Sequence, residues 1–181
     1  PLHLARVYFQ PRLSLTIPLW NSWKLNAAWG IYKQFITESS ALDDIGNYRY
    51  FWAICNNDDI PVLNATHYVG GISYHHKNLI LNMEGFLKYT DGITRYIYFN
   101  LEDYSTIFQG DSKAYGLDLY VKGRLRKHEA WVSYTLSKTL EYFPYFTEGD
   151  YRVAPQDQRH EVKTALLLNF SPLFFTANYV Y

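Results

Sequence analysis

From Lys113 to Tyr181 the chain alternates. Apolar side chains take every second position in four consecutive runs: Tyr115, Leu117, Leu119 and Val121; Ala130, Val132, Tyr134 and Leu136; Val162, Leu166, Leu168 and Phe170; and Leu173, Phe175, Ala177, Tyr179 and Tyr181. Small or polar residues such as Gly116, Asp118, Ser133, Thr135, Lys163, Asn169 and Asn178 fill the positions between. A repeat of two puts neighbouring side chains on opposite faces, so each run reads as a β-strand with one apolar and one polar face. The connections alternate too: a short basic turn around Lys122–His128, a long stretch to about Asp157, then a two-residue break at Ser171-Pro172.

The same rhythm runs upstream. Strands are predicted over Val7–Leu19 and Trp23–Ile36, joined by a tight Trp20–Trp23 turn. Two more are predicted over Thr66–His75 and Leu79–Tyr89, joined by a turn at His75–Asn78. Thr37–Asn64, Thr90–Ser112 and the segment from Lys138 to about Asp157 show no convincing period and are expected to be loops, with Arg95–Leu101 extending the sheet. The prediction is eight strands, four short turns and three long loops.

Two architectures fit such a chain: a Tyr-rich soluble β-sandwich, or a membrane barrel whose Tyr and Trp collect at the two interfaces. Aromatics make up 19% of the 181 residues, which suits either. Loop length separates them, because a compact soluble domain rarely carries three structureless loops of about 20 residues. Charge separates them again. The long connections are acidic, with Glu38, Asp43, Asp44, Asp58 and Asp59 set against Arg49 in the first, whereas Lys122, Arg124, Arg126 and Lys127 crowd one short turn. The reading is therefore all-β, an antiparallel transmembrane β-barrel. An open slice in lipid would leave two unpaired edges, so the eight strands either close into a small barrel or belong to a larger wall.

Composition narrows function. The net charge of zero argues against nucleic-acid binding. No run of about 18 apolar residues exists for a transmembrane helix, which leaves barrel strands open. Cys55 is the single cysteine, so no internal disulfide or thiolate cluster forms. His160 has no nucleophile or metal partner at a useful spacing, and no enzyme activity or cofactor is expected. His75 and His76 are adjacent in a strand end and point to opposite faces, so they are not a metal pair. The acidic loop residues, among them Glu102 and Asp103, lack a calcium-loop spacing. Aromatic residues of the long connections, Tyr48, Tyr50, Phe51, Trp52, Tyr142, Phe143, Tyr145 and Phe146, are candidates either to stack a ligand or to pack the loops together, with Arg159 and His160 as further ligand candidates. Glu84, Lys88, Asp118, Lys122 and Lys163 fall on the polar face and are expected to look into the lumen.

The segment KAYGLDLYVKGRLRKHEAWVSYTLSK, followed by QDQRHEVKTALLLNFSPLFFTANYVY, resembles the late barrel of TonB-dependent outer-membrane receptors of the Bacteroidetes type. The match rests on Gly116, Leu117, Trp131, Ser133, Tyr134, Thr135, Leu136, Ser137, Lys138, Asp157, Arg159 and His160. Upstream, PRLSLTIPLWNSWKLNAAWGIYKQF is similar to an earlier hairpin of that family at Pro11, Arg12, Trp23, Leu25, Ala27, Gly30, Tyr32, Gln34 and Phe35. Each motif is loose; their order along nearly the whole chain is more specific.

The resemblance implies a barrel of about 22 strands, of which about eight are present. It implies an outer-membrane location amid lipid and lipopolysaccharide, a plug domain absent from this chain that engages the TonB complex, and a surface lipoprotein as a further partner. The cargo would be a scarce ligand such as an iron chelate, a cobalamin or an oligosaccharide. It implies further strands after Tyr181, and casts Asp157, Arg159 and His160 as a polar cluster pinning a loop to the wall. The alternative is a complete small eight-stranded barrel serving as anchor or adhesion module, in which the eighth strand pairs with the first.

Overall fold

A computed structural model describes residues 7–42, 45, 48–56, 60–99, 104–145 and 149–181. Within them the chain forms strands and no helix. They are β1 (Arg12–Pro18), β2 (Trp23–Gln34), β3 (Ile36–Leu42), β4 (Tyr48–Ile54), β5 (Leu63–His76), β6 (Leu79–Phe99), β7 (Tyr104–Leu125), β8 (His128–Tyr142), β9 (Arg152–Val153), β10 (His160–Phe170) and β11 (Leu173–Val180). Eight of them make one antiparallel meander in the order β1-β2-β5-β6-β7-β8-β10-β11, with β9 added beside β8.

Three tight turns place their leading residue in the left-handed region, where a two-residue hairpin wants it: Asn21 at φ 52°, Lys77 at 46° and Arg126 at 55°. The fourth, Ser171-Pro172, contains a cis peptide bond.

Three expectations are corrected. The Thr37–Asn64 stretch is no loop, since β3 and β4 pair as a separate hairpin from Ile36↔Ile54 to Leu42↔Tyr48. Most of Thr90–Ser112 is also strand, because β6 and β7 stay paired up to Phe99↔Tyr104. Thirdly, the sheet does not close: it ends at β1 on one side and β11 on the other, and these two do not pair. The closure that a small eight-stranded barrel requires is therefore missing. Asp43, Asp44, Asp58, Asp59, Glu102 and Asp103 lie outside the described residues.

Register sorts the side chains cleanly. One face carries Leu13, Leu15 and Ile17 of β1 beside Trp29, Ala27 and Leu25 of β2. It continues through Tyr68 and Ile72 of β5, Met83 and Leu87 of β6, and Leu119 and Leu117 of β7. Tyr134 and Leu136 of β8, Val162 and Leu166 of β10, and Tyr179 and Phe175 of β11 complete it. The opposite face carries Asn26, Ser73, Asn82, Glu84, Asp118, Thr135, Glu161 and Lys163.

Among the described residues nothing covers the apolar face. Leu13 is 68% exposed, Met83 47% and Phe175 56%. Among the described residues the buried hydrophobic side chains are Phe108, Phe143 and Ala154, all near the end where the long connections lie. This is one layer of sheet, whereas a protein folded in water buries its apolar face under a second layer.

On the polar face glycines make room for bulk. A Cβ on Gly116 would sit 2.8 Å from Cζ of Phe86, so the Phe86 ring, which interrupts the polar pattern, lies flat over Gly116. Gly71 does the same for Glu84.

Candidate ligand site at the long-loop end

A bulge builds the site. At Gly92, with φ +85°, the β6–β7 register slips between Asp91 and Ile93. Before the slip Asp91 pairs with Asp111; after it Ile93 pairs with Gly110 and Arg95 with Phe108. Since β7 keeps its phase, the extra residue moves the odd positions of β6 from the apolar to the polar face. Arg95 thereby arrives opposite β8.

There its Nη2 donates to Glu141 Oε2 at 3.0 Å. Glu141 Oε1 accepts from Gln156 Nε2 at 2.5 Å, so both carboxylate oxygens of this buried residue are engaged. The guanidinium lies over the Phe143 ring, 4.6 Å from its centroid, a cation–π contact. Phe143 fits because position 110 is glycine: a Cβ there would come within 2.7 Å of the ring.

The segment after β8 folds back on it. Val153 and Arg152 of β9 pair with Leu140 and Glu141, and Ala154 N–H donates to the Thr139 carbonyl at 2.9 Å. Asp157 Oδ1 then accepts from Thr139 N–H at 2.5 Å, and Arg159 approaches the same carboxylate at 3.6 Å.

These groups surround a polar-face cleft of about 730 Å³, lined by Gln34, Thr37, Glu38, Leu63, Lys88, Ile93, Thr94, Arg95, Ser112, Glu141, Phe143, Pro155 and Gln156. Volumes of about 300–1,000 Å³ are usual for small-molecule sites. The Thr94 hydroxyl is buried without a hydrogen-bond partner, and Lys88 has no carboxylate within ion-pair distance among the described residues. The cleft thus offers an ammonium, the Glu38 carboxylate, hydroxyls of Thr37 and Ser112, and amides beside apolar walls. That equips it to hold a polar solute by hydrogen bonds; no group of three or more potential metal ligands occurs among the described residues.

The sequence candidates are scattered. Lys88 lines the cleft. Trp52 stands 72% exposed on β4 opposite Glu38, while Tyr50 pairs with Ser40 through its backbone and its side chain lies outside the described set. Tyr142 is on the apolar-side phase opposite Asp111, its ring 5.6 Å from Tyr151. Tyr145 packs edge-on at 4.9 Å from Phe108 and is 77% exposed. Arg159 faces Asp157, and His160 Nδ1 lies 2.8 Å from the Tyr134 hydroxyl. Glu84 is directly opposite Asp118, which accepts from Thr135 Oγ1 at 2.6 Å, and Lys163 pairs with Glu161 at 2.8 Å. His75 and His76 do point to opposite faces, with His76 Nδ1 3.2 Å from Ser22 Oγ.

Phe143 is among the aromatic sequence candidates, and Phe146 lies outside the described residues. Sequence reasoning missed Arg95, Glu141 and Gln156. The Asp-Gly pair at Asp91-Gly92 is the signal that would have found them, since a glycine inside an alternating run marks a bulge. Comparisons with family models, with curated proteins and with solved structures matched none of them.

Proposed function

We propose that this chain is a section of the wall of an outer-membrane barrel, and that the barrel is a TonB-dependent receptor importing a scarce ligand. One observation carries the membrane reading: a single-layer sheet whose uncovered face is free of Asp, Glu, Lys and Arg across its middle. Trp23–Ile31, Thr66–Tyr74, Leu79–Leu87 and Tyr115–Leu125 cross that band. Each has the length of about 9–11 residues that a tilted spanning strand needs. Aromatic residues bound the band on both sides. Trp29, Tyr68, Tyr89 and Tyr115 lie towards the long connections; Trp23 and Tyr74, with rings 4.8 Å apart, and Phe170 and Phe175 lie towards the short turns. Charges on this face, Lys33, Asp91, Asp111, Lys113 and Lys138, gather beyond the first boundary.

Lipid supplies the missing layer, and the polar face looks into the lumen. The two free edges belong beside further strands, since an unpaired backbone group in hydrocarbon costs several kcal/mol. This favours a larger wall over a small barrel. The receptor assignment rests on the ordered motifs around Pro11–Phe35, Gly116–Lys138 and Asp157–His160. We place first contact with the incoming ligand at the Lys88–Arg95 cleft.

The test is fractionation with intact-mass measurement of the native polypeptide carrying this sequence. Recovery in the outer membrane, with a mass far above 21.3 kDa and a plug domain on the same chain, supports the reading. A soluble product overturns it.

A further inference from the structure

We propose that the apolar face binds one anionic glycerophospholipid at the rim formed by the short turns. This rests on the reading of that face as the lipid side, and goes beyond it by assigning a specific lipid class to a specific place.

A groove of about 650 Å³ opens there. Leu79, Leu125, His128 and Leu166 form its walls, and Gly123 and Ala130, paired across β7 and β8, form its floor. A Cβ on Gly123 would meet nothing within 4 Å, so open space stands directly over the floor. Leu125 is 74% exposed and Leu166 40%. An alkyl chain matches this lining.

The mouth is cationic. Arg124 N–H donates to the Asn78 carbonyl at 2.9 Å, which sets the Lys77-Asn78 turn beside the end of β7 and its Arg126-Lys127 turn. Two of the cations nearby are already used: Glu129 takes Lys122 at 2.6 Å and Arg124 at 2.7 Å. Lys77, Arg126 and Lys127 are exposed and, among the described residues, have no carboxylate partner. His128 adds a donor. Its Nδ1 accepts from Asn169 N–H at 3.2 Å, so the neutral ring carries its proton on Nε2.

Unpaired cations over an apolar groove at a membrane boundary select an amphiphile with a phosphate at its head. A zwitterionic lipid brings its own cation against Lys77, Arg126 and Lys127, and is the poorer fit. A soluble phosphate has nothing to place in the groove.

The full-length polypeptide carrying this chain, in non-ionic detergent, is titrated with phosphatidylglycerol and with phosphatidylcholine of identical acyl chains, and bound lipid is read by native mass spectrometry. One phosphatidylglycerol should bind about tenfold more tightly than phosphatidylcholine, as three basic residues near an anionic headgroup allow. The combined Lys77→Ala, Arg126→Ala and Lys127→Ala variant should lose that preference, and Gly123→Leu should weaken both lipids. Equal affinities in the unaltered protein overturn the proposal, as does a preference that survives the triple substitution or displacement by glycerol phosphate. These first and last readouts need no variant to fold. Tryptophan quenching by brominated phosphatidylcholine in vesicles tests the bilayer reading separately. Absence of quenching removes both reading and site; quenching with equal lipid affinities removes the site alone.

Discussion

Arg95 and Glu141 meet at 3.0 Å because Gly92 stands unpaired in β6. Were Gly92 paired like its neighbours, Arg95 would stand opposite Ile107 in the phase of Met83 and Leu87, on the apolar face and away from its partner. Deleting Gly92 removes the unpaired residue and leaves Ile93 opposite Gly110 and Arg95 opposite Phe108, so the Arg95–Glu141 pair should survive the deletion. Gly92→Ala keeps the bulge but meets the left-handed φ of +85°, about 1–2 kcal/mol, and sets a Cβ 3.2 Å from Pro61 Cγ. Glu141→Gln keeps the shape but removes the charge. Because the Arg95 side chain is 32% exposed, the expected loss is about 1–2 kcal/mol, below that for a fully buried pair. Urea midpoints measured in detergent should fall by the same amount when Glu141→Gln is made in the unaltered protein and in the deletion variant. A smaller fall in the deletion variant would mean that Arg95 had left its partner, and would sink the phase argument.

The Phe86 ring and Gly116 form a second dependent pair, with the ring seated where a side chain at position 116 would stand. Gly116→Ala should cost about 1–3 kcal/mol by forcing the ring from its seat. In Phe86→Ala the same substitution should cost less, because the alanine then meets the Leu136 carbonyl but no ring. A double-mutant cycle reads the difference. Additive costs would mean that the Leu136 carbonyl, also close to that Cβ, sets the penalty instead.

The alternation of Leu79, Leu81, Met83 and Leu87, and its counterparts on the other strands, made the meander legible from sequence. It failed where the physics changed. At Gly92 the phase inverts, so Thr90 and Arg95 share a face although one is even and the other odd, and a strand with a bulge reads as patternless. In β3 and β4, Glu38 stands opposite Trp52 and Thr37 is buried, so that hairpin shows no apolar face to detect. The cleft was less legible still. Lys88 was placed correctly on the polar face, but Arg95 and Glu141 are joined across 46 positions by a register no local pattern carries.

Asp111 gives a pH prediction outside the apolar band. Burial first, and then Asp91 directly across the ladder, push its carboxyl above the ordinary value of 3.8, partly offset by a hydrogen bond from the Gly92 backbone. The folded state therefore holds this proton more tightly than the unfolded chain. Its contribution to stability falls as pH rises from below 3.8 to the raised folded value, and stays unfavourable above it. Asp111→Asn removes the titration and the like-charge opposition, and should stabilise the protein by under about 1 kcal/mol at neutral pH. Urea midpoints compared across pH 3 to 7 (about the range needed) should show the variant's advantage growing as pH rises. An advantage that is constant or shrinking would assign the shift to another group.

Met83 and Lys163 test which face meets lipid. Met83 lies in the middle of the apolar band, 47% exposed, and Lys163 lies on the polar face beside Glu161. A cation at the bilayer midplane costs about 2–4 kcal/mol, so Met83→Arg should sharply reduce assembly into the outer membrane. Lys163→Ala removes one partner of a half-exposed pair, worth at most about 1 kcal/mol, and should assemble normally. Membrane-fraction yield of the two variants in the full-length protein is the readout. The reverse ranking would turn the sheet inside out, because a polar face in lipid and an apolar face in the lumen is the one arrangement that tolerates Arg at position 83. Equal yields would mean that neither face contacts hydrocarbon.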